Sequence, residues 1–301
     1  MINLSTLPVV YAGLSNDEYH SGPGLSSTQL KTIADKSLAH LITQKHKDSA
    51  AKDFGSLVHT AVLEPHLIDK EYVYTDEAAP ARNTKEGKLT FQAWQESNPT
   101  VQIKTSDDWK REWFIWQYGG RKPISCEDKD AIDSINQLIS RHPFSDLLKL
   151  GQKELSIFWE EEIDGMKVLM KARPDLLLNN NMLIDLKTTD DASEKGINKA
   201  IAKYNYHWSL AYHMRGIEAV TGVKVPASGW VFVEKNPPYA INMKQMPDEM
   251  KYVANDCIDA VLKKYVHQKR LLDNNELDFP YGKDWTYAKE QLWMQTQVER
   301  L

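Results

Sequence analysis

Cysteine is nearly absent from this chain. Its 301 residues include two, Cys126 and Cys257. That excludes a disulfide-stapled scaffold and a four-cysteine metal or iron–sulfur cluster. No run approaches the roughly 20 apolar residues of a membrane helix. The opening MINLSTLPVVYAG has no basic start, no long apolar stretch and no small-residue cleavage site, so it does not read as a signal peptide. A cytoplasmic, reducing compartment fits these absences. Repeats and low-complexity tracts are missing too. The net charge of −5 counts against a generic nucleic-acid coat. It does not exclude an enzyme that meets phosphates through bound cations and one local basic face.

What is present is ordinary for a globular protein: 42% hydrophobic and 26% charged residues, enough to bury a core. The pattern predicts one domain over 1–301, with a helical part over about 1–150 and a catalytic sheet with helices over about 151–301. NDEYHSGPGLSSTQLKTIA reads as a Gly/Pro turn and then a helix, with Ser26 or Ser27 as N-cap. The free backbone N–H groups there could also hold an anion. In DFGSLVHTAVLEP, Phe54, Leu57, Val58, Ala61 and Val62 form one apolar helix face with His59 beside it. EAAPARNTKEGK reads as an exposed loop whose Arg82, Lys85 and Lys88 could reach a phosphate backbone. Trp109, Trp113 and Trp116 share one helical stripe, expected in core packing rather than base stacking. CEDKDAIDSINQLISRHP reads as an amphipathic helix closed by its proline.

From Glu154 the pattern turns to β. Turns at Asp164-Gly165 and at Asn179–Asn181 predict three consecutive antiparallel strands over 154–188. A long helix is expected from about Ser193 to Thr221, then strands at ASGWVFVEK and YAINMKQM, then a helix from near Pro247 to about Leu272. The aromatic tail LDFPYGKDWTYAKEQLWMQ is expected to pack on the body. The order implies an α/β fold with a mixed central β-sheet flanked by helices.

Within that β region, MKARPDLLLNNNMLIDLKTT places charges in an apolar hairpin, where burial needs an offsetting interaction. Alternate strand residues share a face, so Asp185 and Lys187 point one way while Ile184 and Leu186 point into the core. A turn at the three asparagines brings Asp175 opposite Asp185. Paired carboxylates on rigid strands make a hard-cation site, and a neighbouring lysine can orient water or stabilise a charged transition state. The simpler alternative is a structural ion pair. On the next helix, Lys199, Lys203, Tyr206, Ser209 and His213 form a polar stripe opposite Ile197, Ile201, Tyr204 and Trp208. That stripe is either a track for DNA phosphates or a solvated face.

Pro174-Asp175 followed by Asp185-Leu186-Lys187 resembles the PD-(D/E)XK nuclease superfamily. KARPD and IDLKTT, with GSLVHTAVLEP, YHSGPGLSSTQLK, APARNTKEGK and HPFSDLL in the same order, resemble its RecE-type (exonuclease VIII) branch across most of the chain. The resemblance implies a PD-(D/E)XK nuclease-like core. It implies that Asp175 and Asp185 bind Mg²⁺ (or Mn²⁺), and that the Leu186 carbonyl, His59 and Glu154 are further ligands. Lys187 would position or activate the attacking water, and Arg173 would bind phosphate or pair with an acid. Related nucleases carry a Gln, and a Tyr four residues later, on the helix after the lysine strand. Here those places hold Ser209 and His213. The implied activity is digestion of linear double-stranded DNA ends from the 5′ side, leaving 3′ single strands for recombination in a bacterial or phage-infected cell. A homo-oligomeric ring and a RecT-type single-strand annealing partner are implied as well. An endonuclease, a single-strand exonuclease and a non-catalytic DNA-binding module are the alternatives.

Overall fold

The computed structural model describes residues 2–43 and 50–276. The expected packing of the aromatic tail concerns residues outside this range. In chain order the N-terminal part runs β1 (Val9–Tyr11), α1 (Asn16–Ser21), α2 (Ser27–Asp35), α3 (Leu38–Thr43), α4 (Ala50–Leu63), α5 (Ile68–Glu71), β2 (Tyr72–Tyr74), α6 (Lys85–Ser97), α7 (Ser106–Tyr118), β3 (Lys122–Ile124), α8 (Cys126–Arg141) and α9 (Phe144–Leu147). There follow β4 (Gly151–Lys153), β5 (Ser156–Ile163), β6 (Met166–Ala172), β7 (Leu176–Leu178), β8 (Leu183–Thr189), α10 (Glu194–Tyr204), α11 (Tyr206–Thr221), β9 (Ser228–Glu234), β10 (Ile241–Gln245) and α12 (Asp248–Asp273).

The central sheet is five-stranded and mixed, in the order β10-β9-β8-β7-β4. β8 and β9 are parallel and joined through α10 and α11, while the other neighbours are antiparallel. Strand alternation sorts the side chains into two layers. Leu183, Trp230 and Phe232 face a core shared with α2, α11 and α12. Ile184, Leu186, Val231 and Val233 face a second core under α4 and α8. Asp185 and Lys187 have the parity of Leu183, so they lie on the α11 side.

The expected three-stranded meander is instead split between two sheets. β5 and β6 pair around Asp164-Gly165 and join β1 in a separate three-stranded sheet. Regular pairing stops at Ala172, and Arg173, Pro174 and Asp175 carry the chain into the central sheet. Proline lacks the N–H a ladder needs and restricts the residue before it. The N-terminal part is thus not purely helical, since β1 supplies an edge of that sheet.

The expected long helix over 193–221 is two helices. Asn205 takes a left-handed conformation (φ 49°) between α10 and α11. Asparagine reaches that region at lower cost than most residues, because its short polar side chain bonds locally. The continuous stripe from Lys199 to His213 is therefore interrupted. Tyr204, expected in the apolar stripe, is exposed.

The loop expected at 77–88 ends early, because Thr84 caps α6 through the Gly87 N–H and Lys85 and Lys88 are helical. Residues between β2 and β3 form α6 and α7 around Trp94, Trp109 and Trp113. Trp116 does not join that core and is exposed. The parallel pairing of β2 with β3 closes the base of this excursion.

Candidate metal centre

The site forms where β7 leaves β8. Their ladder pairs Leu176 with Ile184 and goes no further. One residue beyond, Asp175 faces the stretch of β8 at Asp185 and Leu186. The Leu186 N–H donates to Asp175 Oδ2 at 2.6 Å. Its carbonyl accepts from His59 Nε2–H at 2.7 Å and from the Lys187 ammonium at 3.0 Å. A carbonyl only accepts, so His59 carries its proton on Nε2. Nδ1 is then the nitrogen that faces Glu154 Oε1, 4.0 Å away, and Asp175 Oδ2, 3.8 Å away; it meets them as an ion pair when protonated and is open to a cation when not.

His59, Glu154 and Asp175 offer ligand atoms that all lie within 4.8 Å of one another. Three segments supply them. His59 comes from α4, which packs closely on β8: a Cβ on Gly55 would meet Thr188 Oγ1 at 3.3 Å. Glu154 sits between β4 and β5 at φ 50°, its N–H donating to the Asp175 carbonyl. Asp175 is the residue just before β7.

Asp185 lies deeper, its side chain 2% exposed. Lys187 Nζ is 2.7 Å from Asp185 Oδ2 and 3.7 Å from Asp175 Oδ2. The closer contact is an ion pair that compensates a buried carboxylate. Two carboxylates and one imidazole, from Glu154, Asp175 and His59, are a donor set a divalent cation can take. The residues present therefore fit a metal ion. The Leu186 carbonyl, expected as a ligand, already accepts two hydrogen bonds here.

Burial pushes the Asp185 carboxyl up, against the pull of Lys187. For Lys187, burial works downward, but the Asp185 and Asp175 charges outweigh it and hold the ammonium protonated well above the usual lysine range. Burial also pushes the His59 imidazole down, yet Asp175 and Glu154 leave it above the ordinary histidine value.

The remaining expected residues divide. Arg173 is turned inward and is not free for phosphate. Its Nε is 3.0 Å from Glu154 Oε2 and 3.2 Å from the Glu154 carbonyl, Nη1 meets Asn16 Oδ1, and Nη2 meets the Leu14 carbonyl. Ser26 caps α2 through the Gln29 N–H, and Gln29 returns a bond to the Ser26 N–H; Ser27 is the first residue of that helix. Tyr206 lies beside the site, with Lys187 Nζ 5.7 Å from its ring centre. His213 is buried facing the Asp185 charge. Desolvation pushes it down to about 4, so it is neutral there, and its Nδ1 has no partner. Lys199 and Lys203 are exposed on α10.

Two buried or half-buried groups that hold α2 against α11 are not evident from sequence patterning. Tyr212 is fully buried and its hydroxyl donates to the Leu25 carbonyl, pinning α11 to the start of α2. Lys31 reaches Ser209 from 178 positions away in the chain. No local motif marks either.

A mixed sheet with helices on both faces, carrying Pro-Asp and Asp-x-Lys on adjacent strands, is the PD-(D/E)XK nuclease fold. Residues 26–274 match the family model described as PDDEXK-like domain of unknown function (DUF3799), and the chain belongs to that family. A candidate exonuclease from Eubacterium rectale has a similar crystal structure, with a TM-score of 0.54 and 14% identity over 96% of this chain and 99% of that one. The alkaline exonuclease of Laribacter hongkongensis is more distant, with a TM-score of 0.29 and 13% identity over 73% of this chain and 97% of that one. No curated protein matches the chain. No helix among the described residues is long and apolar enough to cross a membrane.

Proposed function

We propose that this protein is a divalent-metal-dependent exodeoxyribonuclease acting on the ends of linear double-stranded DNA. One observation carries the reading: His59, Glu154 and Asp175 converge on one point beside the Asp185–Lys187 pair. Carboxylate oxygens with one imidazole suit Mg²⁺ or Mn²⁺. A cation bound there would neutralise charge building on the phosphoryl oxygens and the leaving oxygen. The protein's own groups do the rest. Asp175 and Asp185 keep Lys187 charged, and its ammonium orients the incoming water and donates to the transition-state oxygens. His59, fixed by the Leu186 carbonyl, keeps Nδ1 aimed into the site.

The finer proposals rest on the resemblance to RecE-type nucleases. They are 5′-to-3′ polarity, 3′ single strands left for recombination by annealing, a homo-oligomeric ring around DNA and a RecT-type partner.

The test is digestion of duplexes labelled at the 5′ or the 3′ end, with Mg²⁺, with Mn²⁺ and with EDTA. Nucleotides should leave linear duplex only with metal, closed circles should be spared, and the label released first reports polarity. Lys187→Met should lower kcat about 10²–10³-fold while the protein stays folded. Full activity in EDTA, or in that variant, would refute the assignment.

A further inference from the structure

The proposed chemistry leaves a half-buried lysine near Lys187 unused. Lys31 projects from the second turn of α2 toward the joint between α10 and α11. Its Nζ donates to Ser209 Oγ at 2.7 Å and to the Tyr204 carbonyl at 2.9 Å. Both acceptors are neutral. A charge drawn out of water usually takes a carboxylate partner, since neutral acceptors offset less of the desolvation cost. Asp35 on the same helix and Asp185 on β8 act on it only at longer range.

Lys31 also faces a second cation. Its Nζ lies 5.9 Å from the centre of the Tyr206 ring, and Lys187 Nζ lies 5.7 Å from the same centre. His207 and His213 on α11 feel the Lys31 charge, and both are pushed down, chiefly by burial. Desolvation, with Lys187 adding to it, brings Lys31 itself down to about 8. Lys187 is paired with Asp185 and Asp175, so the charge beside the ring that lacks a carboxylate in contact is that of Lys31. An anion that touches Lys31 would offset it.

We infer that Lys31, anchored by Ser209, forms a phosphodiester subsite adjoining Lys187 across the Tyr206 ring, gripping the DNA backbone beside the bond to be cut. Lys31 remains half-buried rather than sealed, and its third N–H is available to a phosphate oxygen. Ser209 and the Tyr204 carbonyl hold the ammonium in place, so little side-chain entropy is lost on binding. This inference rests on the nuclease reading above, but it concerns binding and is tested apart from cleavage.

The experiment measures binding of a fluorescein-labelled duplex by anisotropy across a range of NaCl, in Ca²⁺ rather than Mg²⁺. One lost phosphate contact on a duplex lowers the slope of log K against log salt by about 0.9. Lys31→Gln should show that drop and a Kd raised about tenfold, and Lys31→Arg should keep the wild-type slope. In hydrolysis, Lys31→Gln should raise KM more than it lowers kcat. An unchanged slope in Lys31→Gln overturns the subsite, as does equal loss in Lys31→Gln and Lys31→Arg with a lowered Tm, which would mark a tie between helices. Should Lys31→Gln fail to fold, lysine acetylation footprinting of the wild-type protein decides: DNA protects Lys31 if the subsite exists and leaves it unprotected if not. A wild-type protein that binds through Lys31 but cleaves nothing would refute the nuclease reading alone. One that cleaves normally with an unchanged Lys31→Gln slope would refute the subsite alone.

Discussion

His59 Nε2–H meets the Leu186 carbonyl at 2.7 Å across 127 positions of chain. That bond fixes the imidazole's tautomer and so decides which nitrogen a cation would find. It also ties α4 to the strand that carries Asp185 and Lys187.

If Nδ1 is a metal ligand, removing the ring removes a donor from a set of few. His59→Ala should weaken Mn²⁺ binding by at least about tenfold, read by isothermal titration. Affinity equal to wild type would mean that the carboxylates alone hold the ion.

The same ring makes stability depend on pH in a way that metal reverses. Asp175 and Glu154 raise the His59 pKa above its ordinary value despite burial. A raised histidine pKa contributes stability that is full below the unfolded value, about 6.5, and is lost as pH rises through the folded value. Melting of EDTA-treated protein should therefore fall from pH 6 to pH 8.5, with a flatter profile in His59→Ala. Added Mn²⁺ should stabilise more at the higher pH, because a bound ion needs the deprotonated nitrogen. A metal-induced rise in Tm that shrinks with pH would contradict the ligand role.

Gly216 on α11 rests against a buried indole. A Cβ there would stand 2.8 Å from Trp159 Cζ3, and Trp159 is 1% exposed. Alanine is favoured over glycine in a helix by about 1 kcal/mol, but overpacking a filled core costs about 1–3 kcal/mol. The clash should win, so Gly216→Ala should lower Tm by several degrees. A stabilised variant would show that the indole can move aside.

The donor geometry was partly legible beforehand because β-structure is local in its rules. Three asparagines mark the turn, and side-chain alternation then carries the register to Asp175 opposite Asp185, as the pairing of Leu176 with Ile184 bears out. The split at Arg173–Asp175 was not legible: an apolar run reads alike whether its strand stays in one sheet or passes between two. Nor was the break at Asn205, since the 3.6-residue pattern continues through a single left-handed residue. Arg173 could have gone to phosphate or to an acid, and only the approach of Glu154 from the preceding connection directs it inward. Lys31 carries no signal at all, because its partner is set by how α2 lies on α11.

The grouped donors come from far apart in the chain, residues 59, 154 and 175, with Asp185 and Lys187 beside them. Such a site has high contact order, so it closes only when distant parts of the chain have met. It behaves as an interlock. A nascent or truncated chain that stops before β8 has the helix with His59 but no Asp185 and no Lys187. Hydrolytic competence would therefore switch on together with completed folding, and no earlier.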